Sequence, residues 1–180
     1  APDDMLFHMR STYGGTYVWT NGVLEKLDGK VSDAIQSLVY PYWHPSGDYV
    51  AFSTNQTKQM FHMKDKNRIE VFDMSSDVLV YDVKNHRVVT DSLLFSKQAF
   101  ETFPSFSPDG KTLYFSSSVA QKMPIDYKKV KYNICSISFD AETGRFGTQV
   151  DTLFSVEQTG KTGTFPRVSP DGKFLAFTEA

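Results

Sequence analysis

The hydrophobic and polar positions of this chain fall into strand-length segments separated by turn residues. Three of these segments nearly repeat. Residues 49–53, 112–116 and 174–178 are apolar on both faces, a pattern that predicts buried, central strands. Each follows a short turn: Pro45-Ser46-Gly47, Pro108-Asp109-Gly110 and Pro170-Asp171-Gly172. Proline presets φ for the first corner of a type I turn, Asp or Ser suits the second, and glycine takes the left-handed conformation that follows. Each phrase is therefore expected to be a three-residue β-hairpin with a glycine bulge. The fifth residue past the glycine is always Phe: Phe52, Phe115 and Phe177.

The three copies are regularly spaced, with Gly47, Gly110 and Gly172 lying 63 and 62 residues apart. Each opens with an aromatic and a proline, Tyr40-Pro41, Phe103-Pro104 and Phe165-Pro166, and continues after one variable position with Trp43, Phe106 or Val168. Further hairpins lie between the copies. Residues 78–83 with 86–91 form one, and 132–139 with 145–154 another; near the start, a third turns at Asn21-Gly22. Two hairpins per repeat make four antiparallel strands, the sign of a β-propeller blade. An ordinary blade needs about 40 to 45 residues, so each repeat is expected to carry an insertion.

The pattern aromatic-Pro-x-apolar-Ser-Pro-Asp-Gly followed by an apolar strand resembles the WD40-like (PD40) repeat of TolB-type β-propellers. The likeness runs from about Tyr40 to the C-terminus. The first copy departs from it with His44 for Ser and Ser46 for Asp. The resemblance implies an all-β chain of four-stranded antiparallel blades, with Pro45, Gly47, Phe52, Pro108, Asp109, Gly110, Phe115, Pro170, Asp171, Gly172 and Phe177 as structural repeat positions. It also implies a periplasmic or cell-envelope setting.

With blade strands lettered A to D from the axis outward, the expected division has four parts. Residues 5–27 are a partial blade (strands B to D), 38–91 and 102–154 are blades, and 164–180 is a partial blade (A and B). This is a partial propeller of about three blades, too few to close a ring. The expectation is a fragment of a larger propeller, because an open blade edge is a liability. The alternative is a homodimer completing a six-bladed ring.

Composition adds limits. The chain is 14% aromatic, with fifteen Phe and nine Tyr, which favours strands. Net charge is −2 and the isoelectric point is near 6.1, so no overall field attracts nucleic acid. Lys128, Lys129 and Lys131 read as a solvated loop. No apolar run reaches the roughly 18 to 20 residues a membrane helix needs, and no membrane insertion is expected. Cys135 lies on an apolar strand face, so it reads as buried and inert.

In a propeller the B–C and D–A connections emerge at one end of the blades and the A–B and C–D turns at the other. The turns here are uniform, whereas the B–C connections (11–15, 55–77, 119–131) and D–A connections (28–37, 92–101, 155–163) differ. The varied end is therefore the expected working face. The insertion over 55–77 carries His62, Lys64 and Arg68 as candidate ligand or partner contacts, together with Met60, Phe61 and Ile69, which would equally suit packing on a neighbouring blade. The variable slot after each blade proline adds Tyr42, Ser105 and Arg167 at the start of innermost strands, where Arg167 suits an anionic group. His8-Met9 and His62-Met63 are copper-type pairs, but adjacent strand residues point to opposite sides and no third ligand is suitably spaced, so no metal and no cofactor are expected. Residues 55–57 fit the N-glycosylation sequon.

G-x-S-x-G, H-E-x-x-H, P-loop and C-x-x-C motifs are all absent from the sequence. Two functions stay open at this point. One is a non-catalytic envelope propeller that binds a protein or small ligand, as the TolB-type resemblance implies. The other is the propeller domain of a larger enzyme, a prolyl-oligopeptidase-type peptidase or a haem-linked envelope protein, whose catalytic part lies outside these residues.

Overall fold

The recurring turn organises the observed architecture. The computed structural model describes the backbone of residues 5–9, 15–20, 23–26, 38–61 and 69–180, and the side chains of 38–55 and 72–180. Thirteen strands are described: β1 (Met5–Met9), β2 (Gly15–Thr20), β3 (Val23–Lys26), β4 (Leu38–Trp43), β5 (Tyr49–Phe61), β6 (Ile69–Asp82), β7 (Arg87–Val89), β8 (Ala99–Phe106), β9 (Thr112–Val119), β10 (Asn133–Asp140), β11 (Arg145–Phe154), β12 (Gly163–Val168) and β13 (Leu175–Glu179). They form four antiparallel sheets, in the orders β1-β2-β3, β4-β5-β6-β7, β8-β9-β10-β11 and β12-β13. The protein is thus nearly all β, built of blade-like sheets that do not close into a ring.

The hairpin geometry follows from the turn residues. In each turn the glycine N–H donates to the carbonyl three residues back: Gly47 to His44, Gly110 to Ser107 and Gly172 to Ser169, at 2.8–2.9 Å. The Ser-Pro-Asp-Gly side chains close the loop further. Ser107 Oγ donates to Asp109 Oδ1 at 2.5 Å and accepts from the Thr112 N–H at 3.0 Å. Ser169 and Asp171 repeat this at 2.6 Å, with the Phe174 N–H at 3.0 Å. The first turn reaches the same result with other chemistry. His44 Nδ1 accepts from the Ser46 N–H at 3.1 Å, and Ser46 Oγ accepts from the Asp48 N–H at 3.1 Å. The other ring nitrogen then donates to the Gly110 carbonyl at 2.9 Å, joining two neighbouring turns.

The blades stack through apolar faces. One core joins the second and third sheets: Tyr49, Ala51, Val78 and Val80 meet Phe106, Leu113, Phe115, Cys135, Ile137 and Phe139. The opposite face of the second sheet contributes Leu38, Val50, Phe52, Leu79 and Tyr81. Burying one such Phe stabilises the fold by about 1.5–3 kcal/mol. The third copy departs from the expectation of a buried central strand. In β13 no residue is buried, Phe174 is 70% exposed, and Phe177 is only half-buried against Phe154, with ring centroids 4.9 Å apart. The reason is packing: among the described residues β13 pairs with β12 alone, so no strand covers its other edge.

The large insertion also differs from the loop expected there. β5 and β6 run on past the blade as a paired ribbon, from Asn55↔Ser76 out to Phe61↔Ile69, with one register shift at Gln56/Thr57. Seven residues at about 3.4 Å each carry it roughly 20 Å beyond the blade. Ile69 begins β6 itself, so the insertion lengthens the blade's own strands rather than adding a new one.

Candidate functional site

The aromatic before each blade proline does something the sequence did not announce. Tyr40, Phe103 and Phe165 all take positive φ, of 54°, 55° and 55°. Non-glycine residues are rarely held there, at a cost of order 1 kcal/mol each. The following proline has no N–H to give the ladder, and each innermost strand bulges at this point: Val39/Tyr42, Thr102/Ser105 and Thr164/Arg167. The bulge turns the ring out of the strand, and the three rings meet. Centroids lie 4.7 Å apart for Tyr40–Phe103, 3.9 Å for Phe103–Phe165 and 6.0 Å for Tyr40–Phe165. Phe103 is buried, whereas Tyr40 and Phe165 are 37% and 44% exposed.

Neighbouring strands satisfy the polar groups that the bulges release. The Phe103 N–H donates to Ser53 Oγ at 3.1 Å, and Ser53 Oγ also meets Thr102 Oγ1 at 3.2 Å. Ser105 Oγ donates to the Pro166 carbonyl at 2.7 Å. Arg167 Nη1 donates to the same carbonyl at 2.8 Å, and its guanidinium lies 5.0 Å above the Tyr42 ring. The variable slot thus brings Tyr42, Ser105 and Arg167 together. Ser105 is fully buried, and Arg167 is held between a ring and a carbonyl. The other candidates, His62, Lys64 and Arg68, lie outside the described residues.

The sequence reading missed Glu101. It stands two residues before Phe103, where the other copies have Leu38 and Gly163. Leu38 is buried in the apolar core. A Cβ on Gly163 would come within 2.8 Å of Ile134 Cγ1, so that copy has no room for a side chain. Glu101 is 3% exposed, and among the described residues its Oε2 has no hydrogen-bond partner. Burial, reinforced by the nearby Asp77 carboxylate, pushes its carboxyl up to about 8, so it is mostly protonated at neutral pH. Asp77 is itself raised by burial, although it accepts from the Ser96 N–H at 3.1 Å and from Thr54 Oγ1 at 3.4 Å. A carboxyl at a position filled by Leu and Gly in the sister copies was the available signal.

Tyr132 ties this carboxyl to the aromatic cluster. Its ring lies 6.4 Å from Phe103, and its hydroxyl lies beside Ser76. Burial, with the fields of Asp73, Tyr40 and Glu101, pushes that hydroxyl up to about 12. The B–C and D–A connections of the third blade hold it in place. The Tyr132 N–H donates to Thr162 Oγ1 at 2.8 Å, and the Tyr132 carbonyl accepts from the Gly163 N–H at 2.7 Å. The Val156 N–H, at the start of a one-turn helix (Val156–Thr159), donates to Asn133 Oδ1 at 2.8 Å. The ribbon leans on the same region through Phe72 and Tyr127, whose centroids are 5.0 Å apart. Asn55, the sequon residue, is buried at the ribbon's base.

Other features carry less chemistry. Burial pushes the Cys135 thiol up to about 11, so it stays protonated at neutral pH. A cleft of about 690 Å³ lies between the A–B and C–D turns, lined in part by Asp109, Lys111, Asp140 and Arg145. Another, of about 570 Å³, lies between the B–C and D–A connections, lined in part by Ser118, Lys129, Lys131 and Glu157. Among the described residues, no group of three or more His, Cys, Asp or Glu is placed to hold a metal ion.

No family model and no curated protein matches the chain. Solved structures do match. A protein described as a TolB from Agrobacterium tumefaciens superposes with a TM-score of 0.61 at 13% identity, over 99% of this chain and 50% of that one. The periplasmic gluconolactonase of Pseudomonas aeruginosa (TM-score 0.45, 14% identity, 92% of this chain, 43% of that one) and TolB from Acinetobacter baumannii (0.36, 13%, 97% and 46%) superpose less well. This chain therefore spans about half the length of the Agrobacterium protein it matches. The likeness is one of fold: the chain has a TolB-like β-propeller fold, present in part.

Proposed function

We propose that this chain is a non-catalytic propeller module that binds a protein or small ligand through the end of the blades carrying the B–C and D–A connections. One observation carries the reading. At the A–B end the turns repeat one hydrogen-bonded solution. At the opposite end a buried carboxyl, one oxygen of which is unpartnered among the described residues, lies two residues before Phe103 of an aromatic cluster, with a projecting ribbon on the neighbouring blade. Polar groups buried without partners are costly, and they are kept where a ligand completes them. The inert Cys135 thiol and the absence of a catalytic motif favour binding over chemistry. The TolB-type repeat resemblance supports an envelope location.

The test is capture from cell-envelope extract, comparing the intact chain with one whose residues 56–75 are replaced by a two-residue turn. Loss of partners with the ribbon supports the reading; equal recovery from both would remove the ribbon from the working face.

A further inference from the structure

We propose that the aromatic cluster of Tyr40, Phe103 and Phe165, together with Glu101 two residues before Phe103 on β8, binds an organic cation, a primary ammonium or guanidinium group on a short apolar arm. The inference deepens the binding reading above and rests on it, since it takes that end of the blades as the entrance.

Three independent observations point to a cation. First, Glu101 occupies a position that Leu fills in the first copy, so the fold does not need a carboxyl there. Its Oε2 is buried and, among the described residues, unpartnered, and an N–H donor would complete it. Second, the electrostatic neighbours of Glu101 are acidic or neutral. Asp77 raises its proton affinity, and no described Lys, Arg or His lowers it. Lacking a counter-charge, this water-poor carboxyl beside Asp77 holds its proton at neutral pH; it disfavours anions, and an incoming cation is rewarded because it can take the place of the Glu101 proton. Third, the exposed surface next to Glu101 along the strand is aromatic. Tyr40 and Phe165 keep exposed ring surface beside the buried Phe103, and the faces of such rings attract cations. The molecule already uses this attraction two residues further along the same strands, where the Arg167 guanidinium rests on the Tyr42 ring. A single free carboxyl oxygen, two residues along the strand from the ring cluster, suits an N–H donor on a narrow arm. Free amines and a protruding Lys or Arg of a protein partner share that chemistry.

Calorimetric titration of the full chain tests this with three probes: phenethylammonium, the uncharged phenethyl alcohol, and a capped Ala-Lys-Ala peptide. The ammonium is expected to bind at least tenfold more tightly than the alcohol. Glu101→Gln and Glu101→Leu should each weaken ammonium binding at least tenfold, and Tyr40→Leu about threefold to tenfold. Because Glu101→Leu is expected to stabilise the fold, lost binding in that variant does not reflect unfolding. Tighter binding of the peptide assigns the cation to a protein partner, and tighter binding of phenethylammonium assigns it to a free amine. Equal binding of alcohol and ammonium overturns the proposal, as does undiminished ammonium binding by Glu101→Leu. If no probe binds while partner capture still depends on the ribbon, the cation site fails and the binding-face reading stands. Ammonium binding that persists when capture ignores the ribbon keeps the cation site without that face's ribbon.

Discussion

The second and third copies of the repeat are nearly the same words in different surroundings. Phe115 and Phe177 occupy the same place in the phrase, yet Phe115 is fully buried between sheets and Phe177 is only half-buried, with Phe154 against its ring. Gly110 and Gly172 share a φ of 73°. A Cβ on Gly110 would come within 2.3 Å of His44 Nε2, while one on Gly172 would meet nothing within 4 Å. Glu101 stands where the third copy has Gly163. The turn is thus a local property, set by four residues and their hydrogen bonds. The weight each residue bears is set by what the neighbouring blade brings against it.

The comparison can be broken most forcefully at the phenylalanines. Phe115→Ala should cost about 3–5 kcal/mol, because it opens a cavity in a packed core. Phe177→Ala should cost about 1 kcal/mol or less, since its ring is already half in water. Urea unfolding monitored by circular dichroism separates the two, and equal losses would show that the third copy is covered in solution.

Glu101 offers the next largest effect, with a defined pH signature. Its carboxyl is raised in the folded state to about 8 from an ordinary 4.5. Below pH 4.5 both folded and unfolded chains are protonated there, and the contribution to stability is fully present. As pH rises through about 8 it is lost, because the unfolded chain ionises more readily. Glu101→Leu, which copies Leu38, should therefore be more stable than the parent by about 4 kcal/mol at pH 8. The gap should close as pH falls toward 4.5. A pH-independent gap would mean that the carboxyl has a partner in solution.

The glycines give a smaller contrast. Gly110→Ala should cost about 2–3 kcal/mol, from strained backbone plus the clash with the His44 ring. Gly172→Ala pays only the backbone strain, about 1 kcal/mol. Combining Gly110→Ala with His44→Ser should bring the first cost toward the second, as measured by a double-mutant cycle.

The smallest effect separates the first copy from the other two. Burial holds the His44 imidazole below its ordinary range, opposed by its bond to the Gly110 carbonyl and by Asp48 and Asp109. Nδ1 must stay unprotonated to accept from the Ser46 N–H. The group therefore contributes stability that is present above pH 6.5 and lost as pH falls through the folded value. His44→Ser, which writes the residue of the other copies, should flatten that acid slope in thermal melts between pH 7 and 5. It should also cost about 1 kcal/mol at neutral pH for the lost bond to Gly110.

Much of the fold was legible in the residues. Proline, a small polar residue and glycine at fixed offsets specify the hairpin through φ preferences and side-chain caps, and the apolar runs after them specify strands. The site was legible only in part. Tyr42, Ser105 and Arg167 were singled out because their slot varies between copies; the structure brings them together, and a binding role for them remains a proposal. Nothing in the local sequence marked Tyr40, Phe103 and Phe165 as a cluster, because their meeting depends on bulges in three separate strands. Glu101 was hidden for a similar reason. A glutamate near a strand start is ordinary on the surface, and only the stacking of two sheets makes it buried. The one-turn helix at Val156–Thr159 is too short for periodicity to reveal.

The sequence by itself determined the hairpins, their repeat and the TolB-like blade architecture, because turn conformation and strand pattern are short-range properties of neighbouring residues. Tertiary structure decided which copy is buried, where the aromatic rings converge and which carboxyl loses its water. Those outcomes depend on surfaces brought together from distant parts of the chain, and desolvation acts only once they meet.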